Sequence, residues 1–165
     1  MSKTYEDLKA GFAGESQANR RYLAFAKKAD EEGYPQVARL FRAAAAAETV
    51  HAHNHLAALG EIKATQENLQ TAINGENYEV VSMYPGFIKD AEAENEKKAL
   101  TSFRWAWEVE KVHEELYRKA LAALDKPEET FDYYVCPVCG YTHEGSAPER
   151  CPVCNTPGKR FEKVT

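Results

Sequence analysis

No cysteine precedes Cys136 in this 165-residue chain; all four lie between Cys136 and Cys154. A disulfide framework therefore cannot organise the larger part of the chain, which must rely on a hydrophobic core. No uninterrupted apolar run approaches the roughly 20 residues that span a bilayer. The opening MSKTYEDLKAGF also lacks the apolar segment of a secretion signal, so a cytoplasmic location away from membranes is expected. A basic excess is missing as well. The 21 Lys and Arg are outnumbered by 26 Asp and Glu, giving a net charge of -5, and the signs are interspersed, which leaves no footprint for nucleic acid. Proline is scarce. Ahead of Lys126 it occurs only as Pro35 and Pro85, so long stretches are free to be helical.

Those stretches carry helical periodicity. The first expected helix runs from an N-cap at Thr4 to Glu32, with Leu8, Phe12, Tyr22, Leu23 and Phe25 inward, and stops at Gly33. Pro35 suits the first turn of a second helix, which holds Val37, Leu40 and Phe41 and ends at Gly60, so the GYP link predicts an antiparallel pair. A third helix, capped by Thr65, carries Leu69, Ile73, Tyr78 and Val81 and should be interrupted near Met83 and Tyr84 by Pro85. A fourth, capped by Asn95, carries Leu100, Phe103, Trp107, Val112, Leu116 and Leu121 and ends between Asp125 and Pro127. The expected class is all-α: an antiparallel four-helix bundle with a long crossover over residues 1–128. Residues 129–165, rich in Cys, Pro, Gly and Tyr, form a separate small domain held by metal.

The second helix places Glu48 and His51 one turn apart. A single E-x-x-H is weak, but it has a copy. Sliding the chain along itself until Tyr22 falls on Tyr84 also brings Phe25 onto Phe87, Phe41 onto Phe103, Arg42 onto Arg104, Glu48 onto Glu110 and His51 onto His113. Upstream, Gly14-Glu15 matches Gly75-Glu76 in a register one position shorter, so one extra residue lies between Glu76 and Tyr84. A π-bulge absorbs one residue inside a helix, and such bulges concentrate at functional sites. The same segment adds a carboxylate, Glu79, one turn after Glu76.

A lone Glu from each of two helices with Glu-x-x-His from each of two others is the side-chain set of a di-iron or di-manganese carboxylate site. Two cations close together need bridging carboxylates, for which Glu48 and Glu110 are placed, with Glu15 and Glu76 terminal and the imidazoles of His51 and His113 as neutral ligands. Without metal, so many buried ionisable groups would be costly. Tyr22 and Tyr84, symmetric about the same positions, fit either core or hydrogen-bonding roles. His53 points away from His51, His55 is expected near solvent, Trp105 and Trp107 read as core, and His143 is given no ligand role. In the tail, Cys136 and Cys139 form one CPVC and Cys151 and Cys154 another, separated by eleven residues. Two such turns present four thiolates to one tetrahedral ion.

The stretches GESQANRRY, AETVH, GENYEVVSMYP and EVEKVH, followed by CPVCG and CPVC, together resemble the rubrerythrin family over nearly the whole chain. The resemblance implies a ferritin-like bundle with a non-haem di-iron centre and a rubredoxin-type four-cysteine iron. It implies a peroxidase that reduces hydrogen peroxide to water under oxidative stress. Electrons would come from NAD(P)H through separate reductases or a rubredoxin, and enter through the iron of Cys136, Cys139, Cys151 and Cys154. One iron would take Glu15 and either Glu79 or His51, exchanged on reduction; the other would take Glu76 and His113; Glu48 and Glu110 would bridge. Tyr22 and Tyr84 match tyrosines that hydrogen-bond near the site. It also implies a homodimer, paired head to tail or swapped, because the linker from Asp125 to Tyr134 would leave the tail far from its own bundle. Two other readings share these residues: a ferroxidase, which would need no donor tail, and a zinc-ribbon redox sensor, since spacing alone does not choose the metal.

Overall fold

The structure, a computed structural model, describes residues 2–126 and 130–165. Its order is α1 (Lys3–Glu31), α2 (Pro35–Ala58), α3 (Thr65–Tyr78), a π-turn (Glu79–Met83), α4 (Tyr84–Ala93), α5 (Lys97–Ala123), β1 (Tyr133–Val135), β2 (Thr142–Glu144), a short 3-10 turn (Gly158–Arg160) and β3 (Glu162–Val164). Two compact units comprise Met1–Lys63 and Ala64–Thr165. The expected domain boundary at residues 128 and 129 lies outside the described residues.

The first unit is the antiparallel pair of α1 and α2. Its N-cap is Ser2 rather than Thr4: the Ser2 hydroxyl accepts from the Tyr5 N–H at 3.3 Å, and Thr4 already lies inside the helix. The turn at Gly33 is a Schellman closure, with Tyr34 N–H donating to Ala29 O at 2.8 Å and Gly33 N–H to Asp30 O at 3.1 Å. Gly33 meets the left-handed conformation this demands, φ +81°. Ala38, Ala45 and Ala52, two helical turns apart in succession, are buried along α2, and Ala26 and Ala29 are buried on α1. Small residues along the seam let the backbones approach, and Asn19 ties them by donating to Ala45 O at 2.7 Å and Thr49 Oγ1 at 2.8 Å.

In the second unit α3 begins at Thr65 itself, and its N-cap is Ala64 with no side-chain cap, so Thr65 does not cap it. Asn95 is not an N-cap either. It closes α4 with φ +58°, its N–H donating to Glu92 O and the Glu96 N–H to Ala91 O, because asparagine tolerates the left-handed turn. Glu96 then precedes α5. α5 packs against α3 and α4. Asn77 reaches from α3 to Glu114 at 3.2 Å, and Arg118 holds the same carboxylate oxygen.

The tail is a three-stranded antiparallel sheet in the order β2-β1-β3, with Tyr134 opposite His143 and Lys163. It meets its own α5: Lys119 bonds Glu144, and the site of a side chain on Gly140 is 3.8 Å from Val109 Cγ1. The expectation that the linker leaves the tail far from the helix bearing His113 is thus corrected.

Several residues expected inward are exposed, among them Leu23, Phe25, Val37, Leu40, Tyr78 and Val81. A helix covered on one side buries one stripe only, and even Phe25, which packs on Phe41 of α2, keeps part of its ring outside that stripe. Among the described residues no helix is long and apolar enough to cross a membrane.

Candidate metal centres

The repeat read from the sequence is reproduced in contacts. Tyr22, Phe25 and Phe41 form one ring cluster; Tyr84, Phe87 and Phe103 form its counterpart. Arg42 pairs with Asp30 at 2.7 Å, and its repeat counterpart Arg104 pairs with Glu92 at 2.6 Å. Each cluster holds the helix pair just beyond the ligand positions in register.

Within the first unit, Glu15, Glu48 and His51 offer ligand atoms all within 4.8 Å of one another, and Glu76, Glu110 and His113 do the same in the second. In both, the histidine uses Nδ1 toward its own Glu: His51 to Glu48 Oε2 at 2.8 Å and His113 to Glu110 Oε2 at 2.7 Å. The i, i+3 spacing on a helix imposes that geometry. His53 is exposed as expected, whereas His55 is half-buried, its ring packed over Gly11 of α1.

Glu79 stands at the start of the π-turn, where the unmatched residue was expected. The turn has a clamp that sequence reasoning missed. From α5, Trp107 Nε1–H donates to Val80 O at 2.8 Å, with Lys111 Nζ 3.4 Å from its ring centre. Trp107→Phe removes that donor and is expected to cost about 1–3 kcal/mol; faster amide exchange confined to residues 79–83 would confirm it, and an unchanged exchange pattern would refute it.

The carboxylates of the second unit repel one another. Burial, then the charge of and a hydrogen bond to Glu110, push Glu76 up to about 7. Burial and Glu110 raise Glu79, and burial with Glu110, Glu79 and Glu76 raises Tyr84, which keeps its phenolic proton. Tyr117, one turn beyond His113, is raised by burial, Glu76 and Glu110, so it too faces the cluster; its i+4 spacing from His113 was the available signal. His113 is raised chiefly by its hydrogen bond to Glu110. This is a site built for cations: the raised carboxylates hold protons that a metal would displace.

The sign of the pH effect follows. A group whose folded pKa lies above its unfolded value stabilises the fold at low pH and loses that contribution as pH rises through the folded pKa. Glu76 sets the window, and His113 acts in the same sense but only above its ordinary value of 6.5. Metal-free protein is therefore expected to lose thermal stability as pH rises from about 4.5 to about 7, while its affinity for divalent metal rises over the same span; melting curves and proton release during metal titration measure both.

In the tail, Cys136 Sγ lies 3.5 Å from Cys154 Sγ and Cys139 Sγ 3.4 Å from Cys151 Sγ. These are far beyond the roughly 2.05 Å of a disulfide. They are near the roughly 3.8 Å edge of a tetrahedron with about 2.3 Å metal–sulfur bonds. All four cysteines are free, and together they form one cluster; His143 stays outside it. Burial pushes the Cys139 thiol far up. For Cys154 burial acts the same way, but hydrogen bonds from the Thr156 hydroxyl and backbone and from Cys139 and Cys136 outweigh it and bring it down to about 7.

The family profile described as Rubrerythrin matches residues 6–121, and that described as Rubrerythrin, rubredoxin-like domain matches residues 134–162. The chain belongs to the rubrerythrin family. It is 41% identical to nigerythrin of Nitratidesulfovibrio vulgaris over 98% of its own length and 86% of that protein's. It is 36% identical to rubrerythrin-2 of Clostridium acetobutylicum over 96% and 95%, and 38% identical to rubrerythrin of Porphyromonas gingivalis over 99% and 90%. A solved structure described as the fully reduced, all-ferrous state of nigerythrin aligns with TM-score 0.60 at 39% identity, covering 99% of this chain and 88% of that one. As a rubrerythrin, the chain is of the all-α ferritin-like class with a small rubredoxin-like domain, and its cofactors are a di-iron centre and one metal ion held by four cysteines.

Proposed function

We propose that this rubrerythrin reduces hydrogen peroxide to water with electrons that enter through the four-cysteine iron. Glu15, Glu48, His51, Glu76, Glu79, Glu110 and His113 serve as the ligands of the di-iron centre. The observation that carries the reading is the docking of the tail on α5, the helix that bears Glu110 and His113. A ferroxidase has no use for a donor site there.

Held by these ligands, two ferrous ions would supply the two electrons that, with two protons, reduce one hydrogen peroxide to two waters. The chain's own residues do the rest. Glu48 and Glu110 each orient the imidazole of their own motif. Glu76, protonated up to about pH 7 without metal, gives up its proton when a cation arrives. Tyr84 stays protonated beside the carboxylates and offers a hydrogen bond to oxygen, with Tyr22 in the matching position of the repeat. The four thiolates leave no open coordination position, which suits electron transfer rather than substrate chemistry.

The reading extends to a cytoplasmic oxidative-stress enzyme fed by NAD(P)H through a separate reductase or rubredoxin, and to the division into residues 1–128 and 129–165. It includes a homodimer. Sedimentation equilibrium should return twice the chain mass.

The deciding experiment is anaerobic stopped flow. Fully reduced protein is mixed with hydrogen peroxide or dioxygen, and reoxidation of the thiolate iron is followed by its visible absorption. Faster reoxidation by peroxide supports the peroxidase; faster reoxidation by dioxygen transfers the site to the ferroxidase reading, and a colourless, zinc-filled tail to the sensor reading.

A further inference from the structure

Thr142 belongs to β2 of the tail, yet its hydroxyl reaches the helix. Thr142 Oγ1 lies 3.0 Å from His113 Nε2, and it donates to Gly140 O at 3.1 Å. A hydroxyl has one proton to give. With that proton directed to Gly140 O, the oxygen is free to accept from His113, a bond that is made when Nε2 carries the hydrogen. The Gly140 carbonyl, which can only accept, hydrogen-bonds the same imidazole. The other ring nitrogen, Nδ1, faces Glu110 within the Glu76, Glu110 and His113 cluster.

A metal binds the ring nitrogen that has a free lone pair, and the hydrogen bond made by the opposite nitrogen decides which one that is. His51, at the matching position of the repeat, shares the bond to its own Glu, but it belongs to the unit without the tail and its side chain is 55% exposed, against 28% for His113. The two histidines are equivalent in sequence and unequal in restraint.

We propose that Thr142 is a positioning residue: by accepting the Nε2–H of His113 it holds the imidazole in the tautomer and orientation that present Nδ1 to a metal ion, so the docked tail sets the affinity of the position His113 serves. The inference rests on His113 being a metal ligand. It makes docking and metal binding interdependent, since whatever lifts β2 from α5 also frees the ring.

The test uses the full chain with zinc as the probe, in wild type, Thr142→Val and Thr142→Ser. Long-range proton–nitrogen correlation of the histidine rings reads tautomer and exchange, and competitive zinc titration reads affinity. In zinc-loaded wild type the His113 ring is expected to keep a slowly exchanging Nε2–H, with Nδ1 on the metal. Thr142→Val should speed that exchange and weaken one bundle position roughly 10- to 100-fold, with the four-cysteine site still filled. Thr142→Ser, which keeps the hydroxyl, should restore both. Wild-type exchange and affinity in Thr142→Val, or a serine variant as impaired as the valine one, would overturn the proposal. Peroxide turnover of the iron form is measured separately, and its absence would count against the peroxidase while leaving the zinc result as it stands.

Discussion

Glu110→Ala is expected to drop the bundle's iron content from two per chain to below one and to slow peroxide-driven reoxidation of the tail by at least about 100-fold, the upper end for losing even a supporting contact of a metal ligand. Glu110 is the hub of the second unit. Its Oε2 lies 2.7 Å from His113 Nδ1, and after burial its charge helps to raise Glu76, Glu79, Tyr84 and Tyr117 together. Without a cation that charge is a source of repulsion, so the metal-free variant should melt no lower than the metal-free wild type. The combination of lost metal and retained stability is what separates a ligand from a structural residue. If the variant binds iron normally, or loses it only because it unfolds, Glu110 is not the bridge.

Cys139→Ser should abolish the red ferric-thiolate absorption and slow the delivery of electrons from an external reductase by at least about 100-fold, while bundle iron reduced chemically still reacts with peroxide. The tail has three strands of three residues each, and the only cysteines it buries are Cys136 and Cys151. A segment that small does not bury enough apolar surface to fold by itself. Metal binding by comparable structural sites contributes on the order of 10–16 kcal/mol, which is folding free energy. Losing one of four thiolates therefore costs the tail its order, and with it the contacts of Thr142 and Glu144 with α5. Amide exchange across β1 to β3 gives the second readout. Electron delivery at the wild-type rate through the variant would remove the tail from the route.

Much of the site was legible because metal ligation and helical geometry both impose spacing. E-x-x-H puts two ligands on one turn, C-x-x-C puts two sulfurs on one knuckle, and the internal repeat turned a weak motif into a pair. The one-residue slip between Glu76 and Tyr84 marked the π-turn at Glu79–Met83 for the same reason: a register error inside a helix has few structural solutions. Helix ends were less legible. Thr4, Thr65 and Asn95 each have the chemistry of an N-cap, but capping depends on which residue first leaves helical φ and ψ. The structure gave those places to Ser2, Ala64 and Glu96 and used Asn95 to end α4.

Sequence alone determined the donor set, since carboxylate, imidazole and thiolate are properties of residues and their spacing is a property of the chain. It determined the helical class for a similar reason, because a chain with only Pro35 and Pro85 ahead of Lys126 leaves little else for a periodic, alanine-rich pattern to form. Tertiary structure decided which apolar stripe each helix covers, and so left Leu40 exposed although its periodicity reads as core. It also decided the partners of Trp107 and Thr142. The Val80 carbonyl lies 27 residues from Trp107, and the His113 ring lies 29 from Thr142. No local periodicity encodes such a pairing; only the packing of α5 against the π-turn and the tail brings those atoms within a hydrogen bond.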